Sequence, residues 1–208
     1  GGLAGDALTD ADYNVAIGDQ ALSSDTLGSR SVAIGQAALF TQNFTSATDT
    51  YNTAVGYRAG LFVTTGTNNT LIGGSAGDAI TTGYSNVALG VNAAGATTVG
   101  FSNIALGHGA LATNVDGARS VAIGTSALNT QDPASATSMY NVAIGHDAGK
   151  AVTTGTFNTM VGGLAGEQIT TGIQNTFFGG LAGDATDDGN YNTAMGYLAL
   201  SANCGDGN

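Results

Sequence analysis

The chain predicts an all-β fold, a parallel β-solenoid of the β-roll kind with 17 residues in most coils. Three observations support this: a five-residue phrase recurs along the whole length, the phrase alternates its side chains as a strand does, and charge is scarce. The phrase is Asn or Ser, then Val, Thr or Ile, then usually Ala, then a larger apolar residue, then Gly. It starts at Asn14, Ser31, Asn52, Asn69, Asn86, Asn103, Ser120, Asn141, Asn158, Asn175 and Asn192, at intervals of 17, 21, 17, 17, 17, 17, 21, 17, 17 and 17. Within Asn14-Val15-Ala16-Ile17-Gly18, Val15 and Ile17 point one way and Ala16 the other, which is strand alternation. Helical hairpin repeats need about 33 residues and tolerate frequent Gly poorly, so helical solenoids are excluded.

Each further element follows from aligning the copies. Three residues past the phrase Gly stands an Ala in every copy, from Ala21 to Ala199. A second short extended segment is expected after it, as in Leu61-Phe-Val-Thr-Thr65 or Asp78-Ala-Ile-Thr-Thr82. A turn is expected at the fifteenth position, which is Gly28, Gly66, Gly83, Gly100, Gly117, Gly155, Gly172 or Gly189, and Asp206 in the last copy. Two strands and two turns then fill a coil, and successive coils stack about 4.8 Å apart because none can bury its apolar side alone. The intervals from Ser31 to Ser120 sum to 89, and Ser31-Val-Ala-Ile-Gly35 returns at Ser120-Val-Ala-Ile-Gly124, the mark of a duplicated five-copy block. Residues 1–208 therefore read as one repeat domain. Both ends fall within the pattern, so a rod that continues into more chain or joins another subunit is expected.

Stacking places like residues over like. An Asn column at Asn14, Asn52, Asn69, Asn86, Asn103, Asn141, Asn158, Asn175 and Asn192 is expected to hydrogen-bond along the axis, whereas a column of charge would repel itself. Charged residues are accordingly 9 % of the chain. Four Lys and Arg against 15 Asp and Glu leave a net charge of -11, which argues against nucleic acid and anionic membrane as partners. The recurrent Gly and Ala are read as tight corners, or as places where another backbone comes too close for a larger side chain.

Residues with chemical potential are few. The two 21-residue copies each carry four extra residues, within 40–51 and 129–140, which must bulge outward. Thr41, Gln42, Asn43 and Phe44, with Thr130, Gln131, Asp132 and Pro133, are the candidate contacts there for a host surface glycan or protein; tolerated insertion is the alternative. His108 and His146 stand two coils apart with no ligand cluster and read as surface residues. The segments Gly73-Gly-Ser-Ala-Gly-Asp78 and Gly179-Gly-Leu-Ala-Gly-Asp184 superficially suggest calcium repeats, but the period is wrong and the acid varies, so neither metal nor cofactor is expected. Thr64-Thr65, Thr81-Thr82, Thr153-Thr154 and Thr170-Thr171 form an interrupted Thr column, read as strand residues rather than an ice-binding face. Sequons stand at Asn43 and Asn68, and the lone Cys204 can form no intrachain disulfide. No nucleophile, base and orienter set is visible, and the chain is not read as an enzyme.

Phrases such as Asn52-Thr-Ala-Val-Gly-Tyr-Arg-Ala-Gly60 with Thr64-Thr-Gly66, and Asn192-Thr-Ala-Met-Gly-Tyr-Leu-Ala-Leu200, resemble the repeats of bacteriophage tail-fibre shafts. More loosely, they resemble the head repeats of trimeric autotransporter adhesins. The resemblance implies a virion fibre shaft that presents a receptor-binding element for host attachment, built by self-association as a homotrimer or an end-to-end filament. The alternative is a bacterial extracellular adhesin or filament subunit at the cell surface, with an ice- or polysaccharide-binding solenoid as a third class.

Overall fold

Eleven three-residue strands, one per coil, pair side by side into a single parallel sheet in the computed structural model, which describes residues 1–202 and Gly207. Cys204 and Asp206 lie outside the described residues. The strands are Val15–Ile17, Val32–Ile34, Thr53–Val55, Thr70–Ile72, Val87–Leu89, Ile104–Leu106, Val121–Ile123, Val142–Ile144, Thr159–Val161, Thr176–Phe178 and Thr193–Met195. Their register sets each phrase position on its counterpart, so Thr53 faces Thr70 and Thr70 faces Val87. The fold is the expected β-solenoid of 17-residue coils, and no helix occurs among the described residues.

The second half of each coil differs from expectation. Leu61–Thr65 and Asp78–Thr82 are not strands but a turn followed by a bend, although main-chain bonds still join neighbouring coils there, as in Phe62 N–H to Asp78 O at 2.9 Å and Thr64 N–H to Thr81 O at 2.9 Å. The reason is backbone handedness. Besides the phrase Gly, whose φ runs from 125° to 144°, three positions per coil are left-handed: the residue before the phrase (Tyr51, Ser85), the second past its Gly (Arg58, Ser75) and the fourth past it (Leu39, Leu111, or Gly60). Among the described residues 28 non-glycines adopt φ between 47° and 64°, a conformation that costs an L-residue about 1 to 2 kcal/mol. Each corner turns its N–H onto a neighbouring coil, as Asn68 does to Thr50 O at 2.8 Å and Leu111 to Ala127 O at 3.0 Å. The corners offset their strain through the stack and leave no straight run for a second strand. A second, two-residue strand forms only in each 21-residue coil and the coil before it, where Thr48–Asp49 pairs with Gly28–Ser29 and Thr137–Ser138 with Gly117–Ala118.

The glycine at the fifteenth position is not a turn residue with positive φ. A Cβ on Gly83 would lie 2.5 Å from the carbonyl oxygen of Gly100 in the next coil, and closeness of coils likewise explains Gly66, Gly100, Gly155 and Gly172, whereas Gly28 and Gly117 are crowded by the side chains of Asp25 and Asn114 in their own coils. The core is correspondingly thin. It consists of the middle phrase residue, the Ala column, the residue after that Ala, and the column of Val63, Ile80, Val152 and Ile169, and large and small members complement one another between positions. Where the middle phrase residue is Ala, as at Ala33 and Ala122, Leu39 and Leu128 fill the space; where it is Leu71 or Met160, Gly77 and Gly166 make room for it.

Candidate functional site

The Asn residues stand in single file, and their role is more specific than an amide-to-amide ladder. Asn52 Oδ1 accepts the main-chain N–H of Asn69 at 2.9 Å, Asn69 Oδ1 that of Asn86 at 3.0 Å, and Asn86 Oδ1 that of Asn103 at 3.0 Å. From Asn14 to Asn175 each Nδ2 donates within its own coil to the Gly fourteen residues on, as Asn52 does to Gly66 O at 2.7 Å and Asn158 to Gly172 O at 2.8 Å. One amide therefore closes its own coil and holds the next, which only Asn satisfies at this depth. Asn14 hands on to Ser31 at 2.8 Å, Asn103 to Ser120 at 3.0 Å, Asn141 to Asn158 at 2.9 Å and Asn175 to Asn192 at 2.9 Å. Side-chain amides meet directly only in a few places, such as Asn86 Nδ2 to Asn69 Oδ1 at 3.2 Å.

The candidate loop contacts separate into two groups. Asn43 and Asp132 are exposed and Thr41 and Thr130 half-buried, but Gln42, Phe44, Gln131 and Pro133 are buried and present nothing to an outside partner. Gln42 and Gln131 occupy the same inward column as Val63 and Ile80, and the extra residues follow them, with the exposed tips at Thr45–Ala47 and Ala134–Ala136. Each Gln plugs the gap left where Ser replaces Asn. Gln42 Oε1 accepts from Asn52 Nδ2 at 2.8 Å, while its Nε2 donates to Asp25 Oδ2 at 2.6 Å and Ser31 Oγ at 2.9 Å. In the second block Gln131 Oε1 accepts from Ser120 Oγ at 3.1 Å and Asn141 Nδ2 at 2.9 Å. Replacing Gln42 by Ala is expected to cost about 3 kcal/mol, because a buried carboxylate and a buried amide each lose a partner. Gln42→Glu, which sets two carboxyl groups against each other, should melt lower still at neutral pH and recover in acid. Equal melting of both variants and the parent would show that the plug contributes nothing.

The outward side of the sheet is the surface that sequence reasoning did not single out. The fourth phrase residue runs Ile17, Ile34, Val55, Ile72, Leu89, Leu106, Ile123, Ile144, Val161, Phe178, Met195, and these side chains point away from the core. Ile17, Leu89, Ile144, Phe178 and Met195 are exposed, as are Val15 and Ile104 in the column of second residues. Alternation separates this column from the middle phrase residue, and the filling of the coil by Ala and Leu, which leaves no room for a second bulky column, puts it outside.

Beside these strands stacks a file of planar groups. Tyr84 and Phe101 lie 4.9 Å apart at 5°, the Arg119 guanidinium sits 5.0 Å from the Phe101 ring and 5.6 Å from Tyr140, and Tyr140 stacks on Phe157 at 5.1 Å. In the first block Arg30 lies between Tyr13 and Tyr51, at 4.9 and 5.9 Å, and pairs with Asp49 at 2.9 Å. The Asp49 hydrogen bond and charge raise the Arg30 pKa and hold its cation in place.

Other features are minor. A shallow groove of about 190 Å³ is lined by Gln20, Gln36, Phe40, Tyr57, Arg58 and Leu61. Nearby, burial raises the Asp78 carboxyl pKa above its ordinary value, against a hydrogen bond from Ser75 and the charge of Arg58. The Thr hydroxyls point along the axis: Thr64 donates to Thr81 O at 3.1 Å and Thr153 to Thr170 O at 3.1 Å, as structural strand-like residues would. His146 contacts Asp147 at 3.5 Å, and Lys150 contacts the same carboxylate at 3.2 Å.

No protein-family model, curated protein or solved structure matches the chain. The stacked columns themselves carry the functional reading.

Proposed function

We propose that this chain is a structural fibre segment, the shaft of a virion tail fibre that holds a receptor-binding element away from the particle and assembles by association with copies of itself. One observation supports this above the others: a buried polar file joins every coil from Asn14 to Asn192, carried by Asn in nine coils and, where Ser31 and Ser120 interrupt it, by Gln42 and Gln131. Such a rod transmits position and load along its axis, which is the mechanical task of a shaft. The exposed loop tips are spaced five coils apart, about 24 Å, and are the places where a host glycan or protein would meet the side of the shaft. Imaging the native assembly tests the reading. Rods joined at one end to a virion are the expected result. The same rods carried on a bacterial envelope would replace it with the adhesin alternative, and a folded, monodisperse monomer would count against fibre assembly of either kind.

A further inference from the structure

The geometry points to a ligand site in the small groove lined by Gln20, Gln36, Phe40, Tyr57, Arg58 and Leu61, and to an acidic sugar residue, a pyranose bearing one carboxylate, as the group it takes. The groove lies within one chain, so the inference does not depend on how copies assemble.

The state of Arg58 is the first argument. The chain has four cationic side chains. Arg30 pairs with Asp49 at 2.9 Å, Lys150 pairs with Asp147 at 3.2 Å, and Arg119 donates to Ser138 Oγ and, at 3.2 Å, to the Tyr140 hydroxyl. Arg58 makes no ion pair and no side-chain hydrogen bond with any described residue. Its guanidinium lies 5.9 Å from the Tyr57 ring and feels the charge of Asp78 in the next coil. A planar fork of five N–H donors, with no acceptor in the chain, matches a carboxylate from outside. Asp78 does not line the groove, but its charge favours a ligand with one negative charge over a dianionic phosphate.

The rest of the lining points to a sugar. The side-chain amides of Gln20 and Gln36 bond to no described residue, and each can both donate and accept, as a hydroxyl does in return. Exposed Tyr57, half-buried Phe40 and buried Leu61 supply an apolar wall for the C–H face of a ring. At about 190 Å³ the groove is smaller than the roughly 300 to 1,000 Å³ of a pocket that encloses a whole ligand, so it holds one ring of a longer saccharide.

The duplicated block shows that the coil itself does not demand this lining. In the second copy Gln20 becomes Gly109, Phe40 becomes Asn129, and Arg58 becomes Asp147. Asp147 holds the same corner, at φ 54° against 56° for Arg58, and is neutralised by Lys150 at the position of Leu61. One backbone therefore carries an open cationic groove in one block and a closed ion pair in the other.

Saturation-transfer NMR on the whole chain tests the site, with sodium glucuronate and glucose titrated separately and inorganic phosphate added as a competitor. The parent is expected to bind glucuronate at least about tenfold more tightly than glucose, the worth of a charge-assisted hydrogen bond, and phosphate should displace it poorly. Arg58→Gln should lose that preference, and it fits its corner because Gln20 holds the same position at φ 57°. Arg119→Gln, which matches Gln174 in its own column, should keep the preference. Tyr57→Thr, which matches Thr125, should weaken both sugars several-fold. Equal glucuronate binding by the parent and Arg58→Gln, or none by the folded parent, overturns the site. Phosphate that displaces glucuronate at equal concentration reveals a simple anion site and overturns the sugar assignment. Circular dichroism checks each variant, and if Arg58→Gln unfolds, Tyr57→Thr and the glucuronate-to-glucose ratio of the parent decide.

Discussion

Gly56→Ala is expected to destabilise the chain by more than about 4 kcal/mol, the range reserved for changes that nothing nearby can absorb. Gly56 sits at φ 138°, and a Cβ there would lie 2.5 Å from the carbonyl oxygen and 2.7 Å from the carbonyl carbon of Gly73 in the next coil. Both obstacles are main chain, held by the bonds of Gly56 N–H to Ile34 O and Gly73 N–H to Val55 O, each 2.8 Å long. Accommodating one methyl group means parting two strands of the sheet. Gly74 is the control, with open space around its Cβ position and no positive φ; Gly74→Ala should leave stability unchanged or raise it by a few tenths of a kcal/mol. Thermal melts followed by circular dichroism compare the two. Similar melting temperatures for both variants would mean that coil spacing is far softer than these contacts imply.

The duplicated block supplies the second prediction. Ala88 and Ala94 are both buried in the core of the first block, and the positions 89 residues on are Phe177 and Gly183. Both solutions are fully packed, with Ala88 and Phe177 each at 0 % exposure. A Cβ on Gly183 would enter the Phe177 ring. Phe177→Ala alone should cost about 3 to 5 kcal/mol through the void it leaves, and Gly183→Ala alone about 1 to 3 kcal/mol through overpacking. The double variant reproduces the Ala88 and Ala94 pair, so its loss should fall well short of the sum, with a coupling of at least about 1 kcal/mol in a denaturant cycle. Strict additivity would show that the two side chains do not share one space.

The coil, its period and its file of Asn residues were legible because stacking forces one residue type to repeat at one spacing. Other features were not, each for a physical reason. Propensity assigns positive φ to Gly, but Tyr51, Arg58 and Leu39 occupy the left-handed corners here, so the second half of the coil looked like a strand. The four extra residues could be placed anywhere between Thr41 and Tyr51, because the phrase columns end before them; Gln42 therefore looked like loop when it belongs to the buried column of Val63. Alternation shows that Val15 and Ala16 face opposite ways without showing which way is in. That depends on coil width, which Leu22, Leu39 and their Ala partners set. The outward apolar side of the sheet went unseen for the same reason.

The Asn-to-next-coil bond has the same form at Asn14 to Ser31 and at Asn103 to Ser120, the two places where a 21-residue coil begins. A gene that gains or loses one 89-residue unit by recombination would therefore create no new kind of junction. It would lengthen or shorten the product by about 24 Å, so that reach becomes a heritable quantity counted in whole units, like the graduations of a ruler.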